Sequence, residues 1–255
     1  MARIIAIANQ KGGVGKTTTA VNLAASLAVA EKRTLLIDMD PQANACSGLG
    51  IDKTSIISTV YNVLLGEEKA SEVICATDIE WLSVLPSNTD LIGAEIELID
   101  KEGREQRLRR IVEGLASSYE YIIIDCPPSL SLLTVNALAA ADQVLVPLQC
   151  EFYAMEGLGQ LMQTIRLVQQ EINPRLKIGG ILLTMFDGRN NICNQVSEEI
   201  RTHFGDKVFT TVVPRNVRLS EAPSYGQPAL LYDIGSRGAQ AYLGVAQEIL
   251  EGQHG

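Results

Sequence analysis

A glycine-rich turn between an apolar run and a helix-forming run constrains the fold of this chain more than any other feature. The apolar residues 4–8 lead into Gln10-Lys11-Gly12-Gly13-Val14-Gly15-Lys16-Thr17-Thr18-Thr19, and residues 16–30 are typical of a helix. Because glycine has no Cβ, Gly12, Gly13 and Gly15 allow successive backbone N–H groups to turn inward around a polyphosphate. The N-terminus of the following helix adds a partial positive charge. The sequence therefore predicts a phosphate-binding loop between a first strand and a first helix.

Two polar side chains at the start of this helix have defined roles in such a loop. We expect Lys16 to bridge the β- and γ-phosphates, and the Thr17 hydroxyl to ligate Mg²⁺. A plain glycine-rich turn also joins a strand to a helix, but it leaves the Gly-Lys-Thr-Thr order of residues 15–18 unexplained. We therefore predict a nucleoside triphosphate and Mg²⁺ as the ligands of this loop.

The loop departs from the ordinary phosphate-loop pattern at its first position. That pattern begins with glycine, whereas this chain has Gln10 there and a second lysine, Lys11, directly after it. Two lysines beside one triphosphate repel each other unless the anion neutralises both. The second lysine therefore predicts additional charge stabilisation in the transition state, of the kind that an arginine finger supplies.

Strand-like and helix-like segments alternate along the rest of the chain, and several of the strands are almost continuously apolar. The predicted strands are residues 3–9, 33–38, 81–85, 121–125, 143–148, 177–184 and 208–213, and the predicted helices are residues 16–30, 104–117, 130–141, 155–171, 196–204 and 237–250. Continuous apolar strands are typical of parallel sheets that are covered on both faces. We predict an α/β fold with a doubly wound, mostly parallel sheet and helices on both faces, in a single domain of residues 1–255.

Three aspartates follow two of these strands. Asp38 and Asp40 come after the second strand, and Asp125 ends the run Tyr121-Ile122-Ile123-Ile124-Asp125. The carboxyl ends of parallel strands meet at the edge of the sheet where the phosphate loop also lies. Carboxylates there can hold the hydration shell of Mg²⁺ or orient an attacking water. Aspartate is also common as a helix cap or turn residue, but three at strand ends beside such a loop favour the catalytic interpretation.

The charge of the chain limits how it can contact nucleic acid. Its 21 Lys and Arg against 30 Asp and Glu give a formal net charge of -9, which excludes a uniformly basic surface. Residues 175–218 alone carry seven basic and four acidic residues, so the remainder carries a net charge of -12. A local basic patch in this segment is compatible with the composition, although an ordinary solvated surface gives a similar count.

The cysteines and histidines point away from metal chemistry of their own. The chain has five cysteines with no C-x-x-C pair, and its two histidines, His203 and His254, lie far from any cysteine cluster. This pattern is typical of reduced thiols in a cytosolic protein and gives no support to a zinc site. The longest apolar runs are also far shorter than the roughly 20 residues of a membrane-spanning helix.

The segment Lys11-Gly12-Gly13-Val14-Gly15-Lys16-Thr17-Thr18 resembles the deviant Walker A motif of the MinD/ParA ATPases. The resemblance implies the P-loop NTPase fold, ATP and Mg²⁺ as cofactors, and nucleotide contacts from all eight of these residues. It also implies that Lys11 reaches the nucleotide of a partner subunit in an ATP-sandwich homodimer. Asp40 matches the family aspartate that positions the hydrolytic water, and Asp125 the one that secures Mg²⁺ together with Thr17. Asp38 is expected to shape the site, with its exact role left open.

The segment from Pro214 to Ser224, with the sequence PRNVRLSEAPS, is similar to the signature of the ParA/Soj chromosome-partitioning branch. The similarity runs through most of the chain. It implies that Pro214 and Asn216 line the adenine, and that Arg189 and Arg218 bind double-stranded DNA without sequence specificity. It further implies a ParB-like centromere-binding partner and a cytoplasmic, nucleoid-associated location.

Other ATPase classes share the loop and stay open as alternatives. A MinD-like positioning ATPase would need a basic amphipathic C-terminal helix to lie on anionic lipid, whereas residues 242–255 contain two glutamates and no Lys or Arg. We therefore expect no membrane binding. An iron-protein-like reductase would need paired cysteines for a cluster, and the surroundings of Cys126 and Cys150 do not match that pattern. A P-loop ATPase switch without a role in segregation is the remaining alternative.

Overall fold

One sheet of seven strands organises the chain in the computed structural model, which describes residues 2–53, 55–151 and 153–253. The strands are Arg3–Ile7 (β1), Thr34–Asp38 (β2), Cys75–Ala76 (β3), Leu82–Leu85 (β4), Tyr121–Asp125 (β5), Gln143–Gln149 (β6) and Lys177–Thr184 (β7). Their order across the sheet is β3-β4-β2-β5-β1-β6-β7, and every neighbouring pair is parallel except β3 and β4. The predicted doubly wound, mostly parallel α/β sheet is confirmed.

Helices cover both faces of this sheet. They are Lys16–Val29 (α1), Asn44–Gly48 (α2), Val60–Leu65 (α3), Ala70–Val73 (α4), Leu91–Glu97 (α5), Arg107–Leu115 (α6), Leu132–Ala140 (α7), Ala154–Glu171 (α8), Asn191–Phe204 (α9), Arg218–Glu221 (α10), Ala229–Tyr232 (α11) and Arg237–Leu250 (α12). Apolar side chains of α3 and α5–α9 form one core against the sheet, and those of α1, α11 and α12 form a second core on the other face. Since both faces are covered, the central strands are buried along almost their whole length.

The predicted strand at residues 208–213 is wrong. Val208 makes only an isolated bridge to Ile181, and the backbone N–H groups of Thr210 and Thr211 donate to the Glu248 carboxylate on α12 at 3.0 and 2.7 Å. The Phe209 and Val213 N–H groups still donate to Ile181 and Leu183 of β7, but a side chain takes the donors between them, so no continuous ladder forms in this stretch. The seventh strand is instead the short antiparallel β3 at the opposite edge of the sheet.

The carboxyl ends of the central strands bring the predicted site residues to one edge. Ile7 of β1 and Asp38 of β2 both pair with Asp125 of β5 in the sheet register. The phosphate loop follows β1 directly, and α1 begins at Lys16. This register places the loop beside both aspartates, as the parallel arrangement predicts.

No helix in the part of the chain that the structure describes combines the length and the apolar character needed to cross a bilayer.

The loop at Gly50 and the loop at Gly226 approach each other closely through their backbones. Gly50 follows α2 and Gly226 precedes α11, with φ angles of 73° and 65°. A Cβ built on Gly226 would lie 2.7 Å from the Gly50 Cα, closer than any real van der Waals contact. Only glycine suits both the left-handed backbone and the lack of space at this position.

Replacing Gly226 with alanine should therefore lower the free energy of unfolding by about 1–3 kcal/mol, because it adds backbone strain and a steric clash. The midpoint of urea unfolding measures the effect. Gly114→Ala is the matched control, since a Cβ there meets nothing within 4 Å and lies on helix α6. We expect that control to be neutral or slightly stabilising. An unchanged midpoint for Gly226→Ala would contradict the close contact.

Candidate nucleotide-binding site

The phosphate loop borders a cavity of about 500 Å³ at the carboxyl edge of the sheet. Gly13 and Gly15 have φ angles of 74° and 89°, and Gly15 in this left-handed conformation precedes the first turn of α1. The Val14 carbonyl accepts a hydrogen bond of 2.8 Å from the Thr184 hydroxyl at the end of β7. This bond fixes the loop against the sheet. The loop residues that line the cavity are Gly12, Gly13, Gly15, Lys16, Thr17 and Thr18.

Lys16 lies inside the loop rather than in solvent. The residue is only 7% exposed, and its Nζ donates to the Lys11 carbonyl at 3.0 Å. Burial lowers the pKa of this ammonium, while the nearby Asp125 acts in the opposite direction. A buried lysine at the opening of a helix gains from a phosphate that restores its lost solvation.

Lys11 does not line the cavity. Its ammonium forms an ion pair with Glu151, in the turn that follows β6, and both side chains are about 40% exposed. Val14 is buried and likewise does not line the cavity. Of the eight loop residues that the resemblance assigns to the nucleotide, the structure thus places six at the cavity and two outside it.

Asp125 is a buried carboxylate that forms no salt bridge among the described residues. It is fully buried, and neither of its side-chain oxygens has a hydrogen-bond partner of normal geometry among the described residues. Burial, followed by the neighbouring Asp38, raises the pKa of Asp125 well above its ordinary value, and the Thr17 hydroxyl acts against this rise. An orphaned carboxylate beside a threonine hydroxyl is the donor set that Mg²⁺ prefers, so these residues fit the metal.

Asp38 is the last residue of β2, Asp40 lies two residues after it, and the two carboxylates have different surroundings. Asp40 lines the cavity, is 8% exposed, and accepts the Gln42 backbone N–H at 2.9 Å. Asp38 does not reach the cavity. Its two oxygens accept the backbone N–H groups of Asp40 at 3.1 Å and of Cys46 at 3.2 Å. Asp38 therefore anchors both ends of the segment that carries Asp40, a role that sequence reasoning left open.

Burial raises the pKa of Asp38 to about 6, although the two backbone N–H groups that it accepts act in the opposite direction. The cause is the cost of holding a charge away from water at this depth in the protein.

The wall opposite the phosphate loop comes from the C-terminal part of the chain. Pro214 and Asn216, which are predicted to hold the adenine, line the cavity together with residues that the sequence did not reveal: Met185, Val213, Arg215, Leu219, Ser220 and Tyr242. The Tyr242 hydroxyl lies 3.0 Å from that of Thr19, so α12 packs directly on α1 beneath the cavity. No sequence signal marks Tyr242, because it is a single aromatic residue in an ordinary helix.

The two arginines predicted to contact DNA are not among the residues that line the cavity; Arg189 follows β7, and Arg218 begins α10. The Arg189 side chain is 91% exposed, and its Nε and Nη2 both donate to the Asp187 carboxylate at 2.9 Å. This pairing holds the pKa of Asp187 at about 2. Arg218 forms ion pairs with Glu221 at 2.7 Å and with Asp233 at 3.2 Å. Both arginines are thus exposed and already held by carboxylates of their own chain.

Comparison with known proteins places the chain among partitioning ATPases. A family model described as an AAA domain matches residues 2–178. The chain is 60% identical over 249 residues to a chromosome partitioning protein ParA from Myxococcus xanthus, covering 98% of this chain and 88% of that protein. It is 57% identical over 249 residues to the sporulation initiation inhibitor protein Soj from Bacillus subtilis, covering 98% of both chains.

A solved structure with the same fold carries a different name. The crystal structure of a protein from Mycobacterium smegmatis named cobyrinic acid a,c-diamide synthase, with a bound ATP analog and magnesium, superposes with a TM-score of 0.86. Its sequence is 39% identical, and the match covers 98% of this chain and 95% of that one.

Proposed function

Because the chain belongs to the ParA/Soj family of chromosome-partitioning ATPases, we propose that it couples ATP hydrolysis to DNA segregation. In this proposal it acts as one ATPase domain, forms a homodimer with two ATP molecules sandwiched between the subunits, and binds double-stranded DNA without sequence specificity. A ParB-like partner then drives the segregation of a chromosome or a plasmid. The corresponding location is the cytoplasm, in association with the nucleoid.

One observation carries the nucleotide part of the proposal: a glycine-rich loop with a buried lysine borders a cavity of about 500 Å³, and the orphaned buried carboxylate of Asp125 lies beside the Thr17 and Lys16 of that loop. Loop N–H groups and Lys16 would hold the phosphates, and Thr17 with Asp125 would hold Mg²⁺. Bound Mg²⁺ neutralises charge on the phosphates during transfer. Pro214 and Asn216 would hold the adenine on the opposite wall of the cavity.

Hydrolysis would proceed by direct attack of water on the γ-phosphate, without a covalent enzyme intermediate. Asp40 is the carboxylate at the cavity that can accept a hydrogen bond from this water and orient it. Asp38 holds the backbone on both sides of Asp40 and so limits the positions that its carboxylate can take. Lys16, and Lys11 from the partner subunit, would stabilise the charge that develops on the phosphate oxygens.

The position of Lys11 supports the dimer. In the single chain this lysine is paired with Glu151 and does not line its own cavity. A contact with the nucleotide of a second subunit would require Lys11 to exchange this carboxylate for a phosphate. Each active site would then be complete only in the dimer.

The surface arginines support binding to the DNA backbone. A planar guanidinium suits phosphate oxygens, and phosphates carry no base information, so the binding would be independent of sequence and sensitive to salt. A dimer presents the patch twice and binds more tightly than one subunit. Dimerisation on ATP would therefore control the affinity for DNA.

Two observations favour this function over its alternatives. The two relatives named as partitioning or Soj proteins are 60% and 57% identical to this chain, whereas the protein named as a diamide synthase is 39% identical. Tyr242, Val245 and Ile249 on α12 are buried in the protein core. Their burial leaves the apolar face of this helix unavailable for lying on a membrane, as a MinD-like ATPase would require.

Replacing Arg218 with alanine should weaken DNA binding by about tenfold or more, equally on unrelated sequences, because each dimer loses two charged phosphate contacts. The slope of log affinity against log salt should become shallower by about 2. Co-sedimentation with DNA in ATP, in ADP and without nucleotide, at two salt concentrations, measures both effects. Wild-type protein should co-sediment only with ATP.

Arg109→Ala is the matched control, since Arg109 also forms an ion pair with a glutamate of its own helix, at 3.0 Å. That variant should bind DNA like the wild type. A loss for Arg218→Ala that is confined to one DNA sequence would indicate base recognition and contradict the proposal.

A further inference from the structure

Arg218 is held by two carboxylates that follow it in the chain. Its Nη1 pairs with Glu221 at 2.7 Å, at the other end of α10, and its Nε pairs with Asp233 at 3.2 Å, directly after α11. The guanidinium carbon also lies 5.9 Å from the centre of the Tyr232 ring, whose hydroxyl donates to Glu221 at 3.3 Å. Two carboxylates and an aromatic ring thus fix one guanidinium and balance its charge within the chain.

Arg189 is held in a similar way by a carboxylate two residues before it. Its Nε and Nη2 donate to the two oxygens of Asp187 at 2.9 Å, and its backbone N–H donates to the same carboxylate at 3.1 Å. Pairing through two parallel bonds suits the planar guanidinium and is stronger than a single contact. We call Asp187 on Arg189, and Glu221 with Asp233 on Arg218, the carboxylate clamps.

The carboxylate clamps cancel the charge of the arginines that are proposed to bind DNA. Arg215 belongs to the same part of the chain; it is exposed and forms no ion pair among the described residues. Even with Arg215 counted, three arginines stand against three carboxylates, so these residues carry no net charge. Without a net positive charge, the surface has no long-range attraction for a polyanion.

We propose that the carboxylate clamps compete with DNA phosphates for Arg189 and Arg218, and that they keep the single subunit off DNA. The proposal rests on the DNA binding proposed above, whereas the clamps themselves rest on the distances between these side chains. An exposed ion pair contributes little free energy, so the closely spaced phosphates of DNA can displace a clamp once a dimer presents it twice.

Helix α10 connects the clamp on Arg218 to the nucleotide-binding cavity. Leu219 and Ser220, which lie between Arg218 and Glu221 in this helix, line the cavity. Asn216 lines it as well, and its side-chain oxygen accepts the Arg218 backbone N–H at 2.9 Å. Contacts with a nucleotide can thus reach the clamp directly, through this wall of the cavity.

The double variant Asp187→Asn/Asp233→Asn tests the proposal, because asparagine keeps the size of aspartate and one acceptor oxygen but removes the charge. The probe is double-stranded DNA of two unrelated sequences, in co-sedimentation at low salt without nucleotide and with ADP. Each released arginine should tighten binding by about two- to fivefold, so the variant should bind about tenfold more tightly than the wild type. Both DNA sequences should show the same gain.

The matched control is Glu72→Gln/Glu113→Gln, which changes the net charge of the chain by the same amount. These two glutamates form ion pairs with Lys69 at 3.9 Å and with Arg109 at 3.0 Å, on other helices. The control should bind DNA like the wild type. An equal gain in the control would mean that only the net charge matters, and the proposal would then be wrong. Thermal unfolding verifies that both double variants are folded.

Glu221→Gln tests the other carboxylate on Arg218. In the wild-type background it should tighten DNA binding by about two- to fivefold. In the Arg218→Ala background the gain should be much smaller, because no arginine is left for the carboxylate to hold. The same gain in both backgrounds would contradict competition for Arg218.

The outcomes separate the clamps from the proposed function. If the wild type binds DNA with ATP, but the clamp variants gain nothing without it, the competition is refuted and the proposed function stands. Weaker binding by the clamp variants would also refute it, since the carboxylates would then orient the arginines toward DNA. If neither the wild type nor the variants bind DNA in any nucleotide state, the proposed function is itself wrong and the inference fails with it.

Discussion

Replacing Lys16 with glutamine should abolish measurable ATP binding. Lys16 is buried at the phosphate loop, where its ammonium has lost most of its water and donates only to the Lys11 carbonyl. Glutamine keeps a polar group of similar length but removes the charge that the β- and γ-phosphates need. Truncating one partner of a buried, hydrogen-bonded charge pair costs about 2–5 kcal/mol, which corresponds to roughly 30- to 4000-fold in affinity.

Calorimetric titration with ATP and Mg²⁺ measures this loss, and thermal unfolding supplies the check on folding. Without nucleotide the variant should be as stable as the wild type, since Lys16 forms no ion pair in the described structure. The wild type should gain stability when ATP is added, whereas Lys16→Gln should not. Lys69→Gln is the control, because that side chain is 82% exposed on the surface. Unchanged nucleotide affinity in Lys16→Gln would refute the assignment of the loop.

Replacing Asp40 with alanine should stop hydrolysis while leaving ATP binding intact. The Asp40 carboxylate lines the cavity, and the backbone around it is held by Asp38, so the change removes one acceptor without releasing the segment. Loss of a positioned carboxylate that orients the attacking water should lower kcat by about 10²- to 10⁴-fold. Since the ATP-bound dimer then cannot hydrolyse its ATP to ADP, the dimer should accumulate.

Phosphate release gives kcat for this variant, and size-exclusion chromatography in ATP gives the fraction of dimer. The accumulated dimer should also co-sediment with DNA more completely than the wild type does. Asp206→Ala, an exposed aspartate far from the cavity, serves as the control and should match the wild type. If Asp40→Ala elutes only as a monomer in saturating ATP, the sandwich model is wrong.

The features that the sequence predicted well depend on local signals. Strands β5 and β7 and helix α12 begin and end at the predicted residues, and α8 begins one residue before its predicted start. Long apolar runs and strong helical periodicity determine these elements without help from distant parts of the chain. The phosphate loop belongs to the same class, because its glycines are needed for the backbone of the loop itself.

The features that the sequence did not predict depend on contacts between distant residues. Nothing in residues 208–213 reveals that Glu248, nearly forty positions later, takes the backbone donors that a strand would have used. The short helices α2 to α5 have too few turns to show a periodicity, and their formation depends on packing against the sheet. Composition alone did not reveal β3, which consists of two residues.

The same limit applies to the site. Residue types and spacing predicted that Lys11, Asp38 and Asp125 belong near the phosphate loop, but not how each is held. That Lys11 pairs with Glu151, and that Asp38 anchors a backbone segment, follow only from the three-dimensional arrangement. Sequence patterns indicate which chemistry is present, whereas the partners of each group decide which role it takes.

The contact between Gly50 and Gly226 has a mechanical consequence. A side chain between two loops can absorb a small shift by rotating about its χ angles, but two backbones in direct contact have no such freedom. The loop at Gly50 comes after the Asp40 segment and α2, and the loop at Gly226 comes after Arg218. A displacement of the first loop must therefore displace the second. We expect the loss of the γ-phosphate and the release of DNA to be timed by one and the same movement.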